Sequence, residues 1–263
     1  MRNSFNYTLH KVNTMKLVIG LLTIAISLPA SAATVTIRAD DWFPMNGDPN
    51  GDKQGYMIDM ATAIFTAAGH TVDYKVMPWE RAINSVREGK FDCVVGAYPE
   101  DAPDFIFPSL NWGMDGTGYY VNNASTWKFT GFDSLLTQKV GVISGYAYGE
   151  EFDALIKSRP DVFKDVSGTD ALEKNFKKLV NNRIDVVVES VSVANAKLKE
   201  LGFNEALKSA GTNAEKAPIY IACSPAKPTS KMYIELIEKG TETLRASGQL
   251  KDILNKYGLQ DWQ

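Results

Sequence analysis

The sequence predicts an α/β fold. Strand and helix signals alternate along the chain, the alternation runs twice, and several strands are apolar throughout, as in a parallel sheet covered on both faces. Val35 to Ala39 reads as a short strand. Ile58, Ala61, Ile64, Phe65 and Ala68 recur at the helical period, and Gly69 ends that helix. Val72 to Met77 is extended, Ala82 to Arg87 is a short helix closed by Gly89, and Cys93 to Ala97 is an apolar strand. The pattern restarts with extended Tyr119 to Val121 and the strand Lys139 to Ile143. Gly145 to Gly149 opens a helix that runs to about Ser158. Asp170 to Asn181 is amphipathic, Asp185 to Val188 is a buried strand, and Val193 to Leu201 is helical. Ile219 to Cys223 is a last strand, and the chain from Met232 onward is helical. This alternation fits either one doubly wound domain or two α/β lobes.

The ends and the charge narrow the setting. Leu17 to Leu28 is apolar, follows Met15-Lys16 and leads to Ala30-Ser31-Ala32. It falls short of the roughly 20 residues that span a bilayer. A basic start, a short apolar run and an Ala-x-Ala end predict a signal peptide that begins at Met15 and is cleaved after Ala32. The chain has 263 residues and a net charge of −3. The segment ahead of the predicted cleavage site holds Arg2, Lys11 and Lys16 and no acid, so the mature chain is more acidic still. Nucleic-acid binding calls for clustered Lys and Arg, so no nucleic-acid partner is expected.

Six stretches carry a resemblance, three in the first half of the chain and three in the second. The first three are Gly55-Tyr56-x-x-Asp59-Met60-x-x-Ala63-Ile64, Pro78-Trp79-x-Arg81-Ala82 and Gly89-Lys90-x-Asp92. Val140-Gly141-Val142, Gly145-Tyr146-x-Tyr148-Gly149 and Leu179-x-x-x-Arg183-x-Asp185 follow in order. Together they resemble the bacterial extracellular solute-binding proteins, family 3. The resemblance implies a two-lobed periplasmic binding protein fold of type II kind, with two mostly parallel sheets joined by a two-strand hinge. It implies an upstream extension and leader over residues 1–32, a discontinuous first lobe of residues 33–120 plus 222–263, and a second lobe of residues 121–221. It also implies a monomer in the periplasm that captures a small polar solute, amino-acid-like or amine-like. The solute then passes to the membrane permease of an ABC transporter. No cofactor and no metal are implied.

The resemblance implies a ligand site as well. Asp41 and Trp42 follow the first strand, and Trp79 follows the second. The two indoles either flank a ligand or pack at the lobe edge. Gly96 and Tyr98 end the third strand. Tyr146 and Tyr148 stand before the helix of the second lobe, whose free N–H groups favour an anion. Glu189 and Ser190 end a second-lobe strand, and either one fills the place from which amino-acid binders pair with the ligand amine. Those binders also clamp the ligand carboxylate with an arginine soon after the third strand. Here that segment reads Ala97-Tyr98-Pro99-Glu100-Asp101-Ala102-Pro103-Asp104, with three acids around the missing cation. Ala147 stands where a carboxylate-binding threonine is usual. Arg81 either substitutes for the missing arginine or ties its own loop to Asp40, Asp41 or Glu80. A buried carboxylate without its cation costs several kcal/mol, so an ordinary α-amino acid is disfavoured. Acids at Asp40 or Asp41, Glu100, Asp101 and Glu189 lean toward a cationic or polyhydroxyl ligand. Cys93 and Cys223 are either two buried thiols or one disulfide, since their strands neighbour each other in the family fold.

Other chemistry is sparse. His70 is the one histidine beyond the leader and reads as structural. No zinc spacing, phosphate-binding loop or nucleophile elbow is present. The chain therefore reads as a non-enzyme. Two alternatives remain, a cyclohexadienyl-dehydratase-like enzyme on the same fold and a sensory protein that presents its ligand to a receptor.

Overall fold

The computed structural model describes residues 32–213 and 215–263, with Met1 and Ser4 besides, and the predicted leader lies almost entirely outside them. The first lobe opens with β1 (Thr34–Ala39), α1 (Tyr56–Ala67), β2 (Thr71–Val76), α2 (Trp79–Arg87), β3 (Cys93–Ala97) and β4 (Gly113–Asp115). The chain then enters β5 (Thr117–Asn122), β6 (Val140–Ile143), α3 (Glu150–Ser158), β7 (Phe163–Val166), α4 (Ala171–Val180), β8 (Val186–Ser190), α5 (Val191–Leu201) and β9 (Leu207–Thr212). It returns through β10 (Ala217–Cys223) and ends in α6 (Ser230–Ser247) and α7 (Gln249–Lys256).

Two five-stranded sheets result, ordered β2-β1-β3-β10-β4 and β7-β6-β8-β5-β9. In each, three parallel strands are extended on one side by two more, added through two successive antiparallel pairings. This is the two-lobed α/β fold expected from the resemblance. The chain changes sheet at Gly116 and again over residues 213–216. The sequence reading put those changes after Tyr120 and after Ile221. Tyr119 and Tyr120 already pair with β8, and Ile219 and Ile221 already belong to the first sheet.

The alternation of strand side chains builds the cores. Val186 and Val188 face one side of the second sheet, with Val140, Val142, Tyr119 and Val121. Val187 and Tyr120 face the other side, toward Phe176 of α4. In the first sheet, Val94, Val95 and Ala97 of β3 are wholly buried. His70 is structural: its Nδ1 accepts the Ala33 N–H at 3.2 Å.

Cys93 and Cys223 lie opposite each other on β3 and β10 and form a disulfide, with Cα atoms 4.0 Å apart. The bond ties the outgoing and returning parts of the first lobe across 130 residues. Cross-links over loops of this size restrict the unfolded chain and typically contribute about 2–5 kcal/mol. The double variant Cys93→Ala, Cys223→Ala is expected to lose that amount, read from the denaturant midpoint. An unchanged midpoint would contradict it.

Candidate functional site

The carboxyl ends of the parallel strands in both sheets face one cleft, the usual place for ligands in open α/β folds. From β1, the chain turns through Asp40, Asp41 and Trp42. The Asn46 side chain holds this turn by donating to the Asp40 carbonyl at 2.8 Å, and the Trp42 N–H donates to the Asn46 carbonyl at 2.7 Å. Trp42 is buried, and its Nε1 donates across the cleft to Glu189 Oε1 at 2.8 Å. Glu189 ends β8 and Ser190 caps α5, whose Val193 N–H donates to the Ser190 hydroxyl.

Four further contacts cross the cleft. The Tyr146 hydroxyl donates to Asp40. The Ala147 N–H donates to Asp101 Oδ1 at 3.0 Å. Lys197 of α5 pairs with Asp41 at 2.8 Å while also holding Glu200. The Ser190 hydroxyl donates to Asp115 Oδ1 at 2.6 Å; within the first lobe, the Tyr98 hydroxyl donates to the other oxygen, Asp115 Oδ2, at 2.7 Å.

Asp101 occupies the place that matters most. Its Oδ1 accepts from Trp79 Nε1 at 3.1 Å as well as from Ala147, and its Oδ2 accepts the Tyr98 N–H at 2.8 Å. The amide ahead of α3, expected to favour a ligand anion, thus binds a carboxylate of the chain itself.

Between these contacts lies a cavity of about 120 Å³. Four rings (Trp42, Tyr98, Tyr146 and Tyr148) line it, with the acids Glu100, Asp115 and Glu189. A smaller space beside it reaches Trp79, Gly96, Asp40 and Asp101. No lysine, arginine or histidine lines either one. Burial pushes the Glu189 carboxyl up to about 8, Asp101 to about 7 and Asp40 to about 6, and it raises Asp115 as well. Among the described residues, no group of acids, histidines and cysteines is placed to hold a metal ion.

Trp42, Trp79, Gly96, Tyr98, Tyr146, Tyr148, Glu189 and Ser190 therefore meet around one cleft. Asp41 instead faces a neighbouring cavity of about 110 Å³ and is engaged by Lys197. Arg81 is exposed on the outer side of α2 and lines neither space of the cleft. Helix geometry explains this: Trp79 points inward, and two residues on is about 200° around the axis. Sequence reasoning missed Asp115, which sits in the three-residue strand β4 just before the crossing. An acid beside a predicted crossing was the available signal.

Comparisons with known proteins agree with this architecture. Residues 35–102 match the model for bacterial extracellular solute-binding proteins, family 3. No curated protein matches in sequence. An ancestral arginine-binding protein bound to arginine is 24% identical, with a TM-score of 0.70 over 85% of this chain and 97% of the other. The substrate binding protein of an amino acid ABC transporter is 22% identical, with a TM-score of 0.68 over 86% and 99%. The ancestral amino acid-binding protein AncCDT-1, a precursor of cyclohexadienyl dehydratase, is 20% identical, with a TM-score of 0.65 over 85% and 95%. The chain resembles family 3 in the sequence of its first lobe and in its fold.

Proposed function

We propose that this protein is a periplasmic solute-binding protein, which captures a small polar solute between its lobes and delivers it to the membrane permease of an ABC importer. The observation that carries this reading is the cavity walled by both lobes at the strand ends. A ligand there contacts Trp42 and Tyr98 from one lobe and Tyr146, Tyr148 and Glu189 from the other, so it stabilises the joined arrangement. A thermal-shift screen over amino acids, amines, polyamines, organic acids and sugars tests it. A true ligand at 100 times its dissociation constant adds about 2.7 kcal/mol. No shift with any class would remove the reading.

Closure depends on Gly145. Its φ of +80° suits glycine, and a Cβ there would lie 2.7 Å from the Glu80 Cβ of the opposite lobe. Gly145→Ala is therefore expected to weaken any cleft ligand about tenfold, by about 1–2 kcal/mol of strain and lobe separation. Titration of the variant checks this, and unchanged affinity would contradict it.

Catalysis is the second reading. Carboxyls that titrate near neutrality, Glu189 at about 8 and Asp101 at about 7, suit acid–base work. Incubation with prephenate or arogenate decides it by the appearance of an aromatic product.

A further inference from the structure

We infer that the cleft takes a small alkylammonium without a carboxylate, its cationic head set among Trp42, Tyr98, Tyr146 and Tyr148 with Glu189 as counter-charge. This rests on the solute-binding reading and names its solute class.

The carboxylate position is filled from within. Asp101 already accepts the Trp79 Nε1–H, the Tyr98 N–H and the Ala147 N–H. A ligand carboxylate would have to displace it, or else lie beside Asp101, Asp115 and Glu189 with no cation lining the space. Either arrangement buries like charges together, which disfavours both.

Half of the Glu189 carboxylate is unsatisfied. This residue is 3% exposed. Its Oε1 is held by Trp42 Nε1 at 2.8 Å and by the Ser190 N–H at 2.7 Å. Its Oε2 is buried and has no hydrogen-bond partner among the described residues. A buried carboxylate oxygen without a partner is costly, and a cation in the cavity that Glu189 lines removes that cost.

Aromatic rings from both lobes wall the space. Trp42 and Tyr98 come from the first lobe and meet edge to face at 6.3 Å. Tyr146 and Tyr148 come from the second and lie 6.0 Å apart. Four rings line one space, and aromatic rings attract an ammonium through their negative faces and shield it from water. At about 120 Å³ the space suits a compact head group, well below the several hundred Å³ of ordinary drug-sized sites.

The test is titration calorimetry of the full chain with four probes. These are choline, ethanolamine, the uncharged isostere of choline in which carbon replaces nitrogen, and L-glutamine. Choline or ethanolamine is expected to bind, the one that binds reporting whether the head is quaternary or primary. The uncharged isostere is expected to bind at least about 100-fold more weakly. An isostere that binds as well as choline, L-glutamine that binds more tightly than both cations, or no binding by either cation would overturn the inference. Each of these outcomes leaves the solute-binding reading to the broader screen. Cation binding that survives both Trp42→Ala and Glu189→Gln, with their folds verified by unfolding midpoints, would lie outside the cleft. That result would overturn this inference and remove its support from the solute-binding reading.

Discussion

Glu189→Gln is expected to lower alkylammonium affinity by at least about 100-fold while the protein stays folded. The substitution is nearly isosteric. The glutamine oxygen still accepts from Trp42 Nε1 and the Ser190 N–H, the two donors that hold Glu189 at 2.8 and 2.7 Å. The amide nitrogen replaces Oε2, the atom that lacks a partner. What disappears is the negative charge, and with it the attraction for a cation in a space that no other charge neutralises so closely. The variant also separates binding from stability. Burial disfavours the ionised Glu189, so removing the ionisation is expected to leave the unfolding midpoint near pH 8 unchanged or raised. Calorimetry and a melt on the same sample check both halves. Lost binding together with a lowered midpoint would assign Glu189 a structural role instead.

The protein without ligand is expected to lose stability as pH rises from about 4 to about 8, the reverse of a fold held by ion pairs. The sign follows from three raised carboxyls. Asp40, Asp101 and Glu189 have ordinary values of 3.8, 3.8 and 4.5, and burial moves them to about 6, 7 and 8. Between the two sets of values the folded chain holds protons that the unfolded chain has released. Their stabilising contribution is complete below the unfolded values and is lost as pH climbs through the folded ones. The acids that face them, Asp115 and Asp41, push in the same direction, while hydrogen bonds from Tyr146 to Asp40, from Trp42 to Glu189 and from Tyr98, Trp79 and Ala147 to Asp101 offset burial only in part. Carboxyls held low by cations, such as Asp73 beside Arg38, titrate below this window. Separation of the lobes lets water reach the acids and caps the effect. A melting midpoint about 5–10 °C lower near pH 8.5 than near pH 5.5 is expected. A midpoint that rises over this interval would contradict the burial of these acids. A bound cation reverses the trend, because it favours ionised Glu189, so its affinity should increase with pH.

Much of the fold was legible because its central strands carry their burial in their composition. β3 and β8 are runs of apolar residues that could only be covered on both faces. The strands that escaped notice lie at sheet edges. β9 reads Leu-Lys-Ser-Ala-Gly-Thr and β7 reads Phe-Lys-Asp-Val, and each buries few of its side chains. Their strand form comes from a neighbour's hydrogen bonds rather than from their own periodicity. In the site, Trp42 and Glu189 were each identifiable from their positions at strand ends. Their direct bond across 147 residues was not, because it depends on how the lobes meet. The same holds for Asp101. Its sequence position marked a missing arginine, but only the approach of Ala147 makes it the cleft's own anion. The sequence left Arg81 between two roles, and α2 carries it to an exposed position that lines neither space of the cleft.

The position of a bound nitrogen is the most direct measurement. A crystal structure with choline or ethanolamine is predicted to show it within about 6 Å of the ring centres of Trp42, Tyr98, Tyr146 and Tyr148. The same nitrogen should lie within about 4 Å of Glu189 Oε2, with Asp101 still on Trp79 and Ala147. A nitrogen outside this box, or a ligand carboxylate in the place of Asp101, would contradict it.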